Sequence, residues 1–139
     1  MRKKKKKYAN LVILLLILFI LFFIVLQNRA IKITTEELIQ DYQSNIIEAD
    51  KQFLGKQLEI SGQVKSFIQT EGKKSLLELQ SANPDYKLFC KLMNQIAVKK
   101  CSSFTSGTNV VVIGKCVGLT KSTNEINYSE IYIEAEQIK

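Results

Sequence analysis

The chain has 139 residues with a net charge of +7, 20 basic against 13 acidic side chains, three cysteines and neither His nor Trp. That length allows one small domain. The absence of His, and of any two cysteines at C-x-x-C spacing, excludes the usual zinc sites. Nor does the charge describe a basic domain, because Arg2 and Lys3 to Lys7 hold six of the basic residues and leave 14 against 13 acidic ones beyond them. A nucleic-acid footprint would spread basic residues over a folded face, whereas a basic block ahead of a long apolar run is the arrangement that membrane insertion reads.

That run is Leu11 to Leu26, LVILLLILFILFFIVL, without a polar residue. Sixteen helical residues extend about 24 Å, close to the roughly 30 Å of a bilayer core once the flanking residues are added. A helix apolar on every face has no polar stripe for water. The expectation is a basic cytoplasmic tail over residues 1–7, a transmembrane helix over 8–28, a linker over 29–33 and an extracytoplasmic domain over 34–139. A cleaved signal peptide is the alternative. The run is longer than a typical signal, and Gln27-Asn28-Arg29-Ala30 puts Asn28 where a cleavage site wants a small residue. The excess of Lys and Arg on the N-terminal side keeps that end in the cytoplasm, which makes this a signal anchor of the inner membrane with a periplasmic domain.

Within the domain, Thr34 followed by Glu37 has the spacing of a capping box. Leu38, Tyr42 and Ile46 recur every fourth residue, with Ile39, Ile47, Ala49 and Phe53 near the same face. This predicts one amphipathic helix over Thr35 to Phe53, ended by Gly55. Beyond Gly55 the period becomes two. Leu58, Ile60 and Val64 mark a strand reaching Ile68, with Gly62 as the place for a bulge. Thr70 to Lys74 reads as a hairpin turn into a strand holding Leu77 and Leu79. Asn83-Pro84-Asp85 is a turn, followed by a strand over Tyr86 to Leu92. Asn94 to Lys100 is a short helix or a loop. Val110 to Val117 is a buried strand closed by Gly114 and Gly118, and a last strand runs from Ser129 to Ile138 with Ile131, Ile133 and Ala135 on one face. Five strands with an irregular or helical link between the third and fourth match an OB-fold, a small Greek-key barrel. The fold class is α+β, mainly β.

In an exported domain two of Cys90, Cys101 and Cys116 could pair, and a buried apolar role is the alternative for each. No nucleophile motif, phosphate-cradling loop or metal cluster is present, so neither enzymatic activity nor a cofactor is expected. Glu130, Glu134 and Glu136 read as a solvent face. OB barrels present a curved strand face to single-stranded nucleic acid, oligosaccharide or protein segments. The candidates for such a face are Lys65, Phe67, Lys87, Phe89, Lys91 and Tyr132. Nucleic acid would need aromatic platforms in a basic groove, and the near-neutral domain directs the expectation to an envelope protein or a glycan instead.

Several short motifs carry a family resemblance. They are Ile33-Thr34-Thr35-Glu36-Glu37-Leu38, Ala49-Asp50 with Phe53-Leu54-Gly55-Lys56, Leu58-Glu59-Ile60-Ser61-Gly62, Phe89-Cys90, and Val110 to Gly118 after Gly107. Across residues 33 to 138 the chain resembles the tRNA_anti-like family of exported bacterial OB-fold domains. The resemblance implies an OB-fold related to nucleic-acid-binding domains. Ala135 stands where related sequences tend to place a further cysteine, and Cys101 is additional.

Overall fold

The computed structural model describes residues 12–22, 29–69, 75–121 and 128–139. Residues 12–22 are helical (α1), and their large apolar side chains are between 49% and 62% exposed. Among the described residues no helix is long and apolar enough to cross a membrane. The predicted span Leu11 to Leu26 lies partly outside the described residues. The basic tail and the Thr70 to Lys74 turn lie wholly outside them.

The predicted linker contains a strand, β1 (Ile31–Thr34), which runs parallel to β2 (Gln57–Gln69) with Ile31 opposite Leu58 and Thr34 opposite Ser61. Thr34 then caps α2 (Thr35–Ser44). Its hydroxyl accepts from the Glu37 N–H while the Glu37 carboxylate accepts from the Thr34 N–H, the reciprocal box expected from the spacing.

The single helix of the sequence reading is two helices, α2 and α3 (Ile46–Phe53), broken at Asn45, whose backbone is extended at φ −161° and ψ 102°. The physical reason is the Asn45 side chain. Its Oδ1 accepts from the N–H groups of Ile47 and Glu48 and so starts a new helix. The break also turns Ile46 and Ile47 outward, 40% and 68% exposed, although their spacing had placed them with Tyr42. Leu38, Ile39, Tyr42, Ala49 and Phe53 are the residues that enter the core.

The remaining elements are β3 (Ser75–Leu79), β4 (Tyr86–Leu92), α4 (Gln95–Cys101), β5 (Asn109–Lys121) and β6 (Ser129–Ile138). The strands form one six-stranded sheet in the order β1-β2-β3-β4-β6-β5, with β5 also paired to β2. β2 therefore serves two neighbours on one edge, β1 against its first half and β3 against its second, and β5 on the other. The pairing passes from β2 through β3, β4 and β6 to β5 and returns to β2, with β1 as an added sixth strand. This differs from the plain five-strand barrel expected. The sequence IKIT is too short to announce itself as a strand without its partner.

Inward side chains alternate along every strand, including Leu58, Ile60, Leu77, Leu79, Leu88, Cys90, Val112, Ile131 and Ile133, and all of these are fully buried. Gly114 and Gly118 do not close β5; the strand runs through both, with register shifts at Ile113/Gly114 and Cys116/Gly118. The bulge of β2 falls between Val64 and Ser66 rather than at Gly62. Gly62 has a different duty. A Cβ there would meet Thr35 Oγ1, so the glycine lets the first turn of α2 lie on the sheet.

Candidate ligand-binding face

Two clusters of residues singled out from the sequence are brought together, and they have different roles. The first is the seam between the helix pair and β5. The Tyr42 hydroxyl, on a fully buried ring, donates to Asp50 Oδ1 at 3.0 Å and stands 3.5 Å from Cys116 Sγ. The Gly55 N–H donates to the Cys116 carbonyl at 2.8 Å, and the Cys116 N–H to the Lys56 carbonyl at 3.0 Å. Gly118 has φ +100°, and a Cβ on it would lie 2.9 Å from Leu54 Cδ1. The Asp50, Leu54-Gly55-Lys56 and Cys116 to Gly118 motifs thus describe how the helices dock on the barrel, not a ligand site.

The second cluster is the outer face of β2, β3, β4 and β6. Ser66 stands opposite Glu78, Glu78 opposite Phe89, and Phe89 opposite Tyr132, so one row crosses four strands. Lys65, displaced by the β2 bulge, reaches Glu78 Oε1 at 2.8 Å, and Ser66 Oγ donates to Glu78 Oε2 at 2.9 Å. Phe89 stacks on Tyr132 with centroids 5.7 Å apart and an interplanar angle of 28°. On β4, Lys87 stands opposite Glu130 and Lys91 opposite Glu134. The Lys87 ammonium lies 3.7 Å over the Tyr128 ring. The Tyr132 hydroxyl donates to Glu130 Oε2 at 2.7 Å. Burial, and then the neighbouring Glu130 carboxylate, push the Tyr132 phenol up to about 12.

Of the six candidates, Lys65, Lys87, Phe89, Lys91 and Tyr132 share this face. Phe67 does not. It stands opposite the buried Leu77 and packs against the core, because the extra residue of the bulge moves it to the inner side. Phe89 is only 7% exposed, so its ring supports Tyr132 instead of offering a free platform. Sequence reasoning missed Glu78, whose acidic side chain between Leu77 and Leu79 marks the outward position of β3, and it missed Tyr128 as the cover of Lys87.

Cys90, Cys101 and Cys116 are all free and buried. No pair among them is bridged, and each fills core volume as a small apolar group. Burial pushes all three thiols up, Cys101 to about 11. Thiolate is the reactive form, so a disulfide-exchange reagent at pH 8 is expected to leave all three unmodified in the folded chain and to label all three in denaturant. Labelling of the native chain within minutes would show that the core opens there. Cys101 ionises more readily when unfolded, so its contribution to stability is complete below about pH 9 and is lost as the pH rises through about 11. Among the described residues no group of three His, Cys, Asp or Glu side chains could hold a metal ion.

The strand pairing and the helix between β4 and β5 define an OB-fold domain. The chain belongs to the tRNA_anti-like family, whose profile matches residues 1–127, the N-terminal apolar run included. Among solved structures it is similar to a Klebsiella pneumoniae lipoprotein named as a candidate nucleic acid-binding protein. The two share 11% identity with a TM-score of 0.53, over 76% of this chain and 92% of that one. It is also similar to part of a Leishmania major protein named as a candidate aspartyl-tRNA synthetase, at 12% identity and a TM-score of 0.51, over 78% of this chain and 20% of that one. At such identities the likeness is one of fold. No curated protein sequence matches the chain.

Proposed function

We propose that the chain is a single-pass, membrane-anchored and non-enzymatic binding module. In this reading its OB-fold domain lies on the extracytoplasmic side and receives a segment of an envelope protein or a glycan on the outer face of β3, β4 and β6. The observation that carries the choice of ligand is the balance of charge on that face. Lys65 is bonded to Glu78, and Lys87 and Lys91 stand beside Glu130 and Glu134 in the β4–β6 register, so three lysines share the face with three carboxylates. Such a face gives a phosphate backbone little net attraction, while Tyr132 beside paired polar groups suits a neutral polar chain. The anchor is supported by the basic block ahead of the apolar run and by the exposure of the large side chains of α1. A family profile that spans both the run and the domain supports their working as one unit.

The alternative, single-stranded nucleic acid, draws on the row of Lys65, Lys87 and Lys91 and on the name of the Klebsiella lipoprotein. Titration of the full chain in neutral micelles with oligonucleotides and with envelope glycans or proteins, at low and high salt, separates the two. The proposed reading expects salt-insensitive binding of a glycan or protein that Tyr132→Ala weakens about tenfold. Saturable oligonucleotide binding that falls steeply with salt would replace it. Protease added outside the inner membrane is expected to digest a tag placed at Lys139, and protection of the tag would overturn the topology.

A further inference from the structure

A cleft of about 770 Å³ opens beside the start of β1, lined by Arg29, Lys56 and Lys115, with Gln57 and Glu136 at its side. It lies outside the face described above and brings together residues 29, 56 and 115 from three separate stretches of chain. The charge there is unbalanced. Glu136 is the only carboxylate in the lining, and its Oε2 already accepts from Gln57 Nε2 at 3.1 Å. The ion pairs of the described residues join Lys32 to Glu59, Lys51 to Glu48 and Lys65 to Glu78, and none includes Arg29, Lys56 or Lys115. Lys115 stands opposite Glu134 in the β5–β6 register but, like Arg29 and Lys56, makes no ion pair among the described residues, so three cations gather around one concave space with a single carboxylate in its lining. The cleft's volume is within the range of small-ligand sites.

Its position supplies the ligand. Arg29 follows Leu26 by three residues, and three residues of chain reach at most about 11 Å. An apolar run that ends in the membrane therefore holds Arg29 at the level of the lipid headgroups, a few ångströms beyond the hydrocarbon. We infer that this cleft binds the phosphate of an anionic lipid headgroup. Arg29 and the two lysines contact the phosphate oxygens, and the domain is thereby seated on the bilayer that anchors it. The inference rests on the anchored reading for the source of the phosphate. Its chemistry, three cationic donors lining one cleft that an oxyanion could enter, stands on the cleft alone.

The test takes the full chain purified from membranes into neutral maltoside micelles, with its mass read first. A mass lacking the apolar run would sink the anchor while leaving the cleft testable. Phosphatidylglycerol, phosphatidylcholine and inorganic phosphate are then titrated separately, following the amide shifts of Lys56 and Lys115. Saturable binding of phosphatidylglycerol is expected, with phosphatidylcholine weaker. At roughly a fivefold effect per lysine near a lipid surface, Lys56→Gln with Lys115→Gln is expected to weaken it about twenty-fivefold. Lys99→Gln, on the exposed side of α4, is expected to change nothing. Undisturbed amide shifts elsewhere report that the double variant is folded. Inorganic phosphate binding as tightly as the lipid would make this a site for free anions and overturn the lipid assignment. No saturable shift with any of the three would overturn the site itself.

Discussion

Gly114→Ala is expected to lower the stability of the domain by about 3 kcal/mol, read as a fall in the urea midpoint followed by far-ultraviolet circular dichroism. The cause is contact, not backbone freedom. A Cβ on Gly114 would press on the Glu134 carbonyl oxygen and come within 2.8 Å of the Ala135 Cα, both of them main chain of β6. That strand cannot retreat easily, since it pairs with β4 from Tyr86 to Leu92 on its other edge. Relief would require breaking ladder bonds on one side or flattening the bulge at Ile113/Gly114. Gly107→Ala is the instructive contrast. Gly107 has φ +86° with nothing within 4 Å of a Cβ, so only the left-handed backbone is penalised, by about 1 kcal/mol. Equal losses at the two positions would show that crowding at the β5–β6 bulge is not what selects glycine.

The same glycine shows how far the sequence could be read. The run Val110 to Val117 announced a buried strand, yet Gly114 and Gly118 looked like its ends, because a glycine in a strand pattern signals an interruption without saying whether the chain turns or bulges. Only the partner strand decides, and β6 lies outside any local window. Asn45 was hidden for a similar reason. Leu38, Tyr42 and Ile46 keep helical spacing across it, and periodicity cannot register a capping side chain that ends one helix and starts another with its face turned. Local signals sufficed for the Thr34 and Glu37 box, for the turn at Asn83-Pro84-Asp85, and for the strands Tyr86 to Leu92 and Ser129 to Ile138.

On the candidate face, alternation correctly put Lys87, Phe89 and Lys91 together. It put Phe67 with them only because the β2 bulge shifts the phase by one residue, a displacement that leaves no mark in composition. The balance of lysines with Glu78, Glu130 and Glu134 was legible only as a near-zero net charge. Its arrangement depends on the parallel register of β4 with β6, set by strands about forty residues apart in the chain.

Tyr42→Ala is expected to cost about 4 kcal/mol, since it empties a fully buried ring volume beside Phe53, whose ring centroid lies 6.3 Å away. Tyr42→Phe isolates the hydroxyl. Asp50 Oδ1 then loses its 3.0 Å donor and Cys116 Sγ its 3.5 Å neighbour, for an expected loss of about 1.5 kcal/mol. Burial, together with Asp50 and Cys116, already pushes the phenol far above its ordinary value, so the group acts as a protonated donor throughout the physiological range. Asp50→Asn keeps an acceptor near the hydroxyl and should lose less than Tyr42→Phe, whereas Asp50→Ala should lose a similar amount and add little on top of it. Strictly additive losses in that double variant would show that the two side chains act separately and that the seam is held by apolar packing alone. Coupling between them would mean that the Ala49-Asp50 and Cys116 to Gly118 motifs belong together as the joint fastening the helix pair to β5.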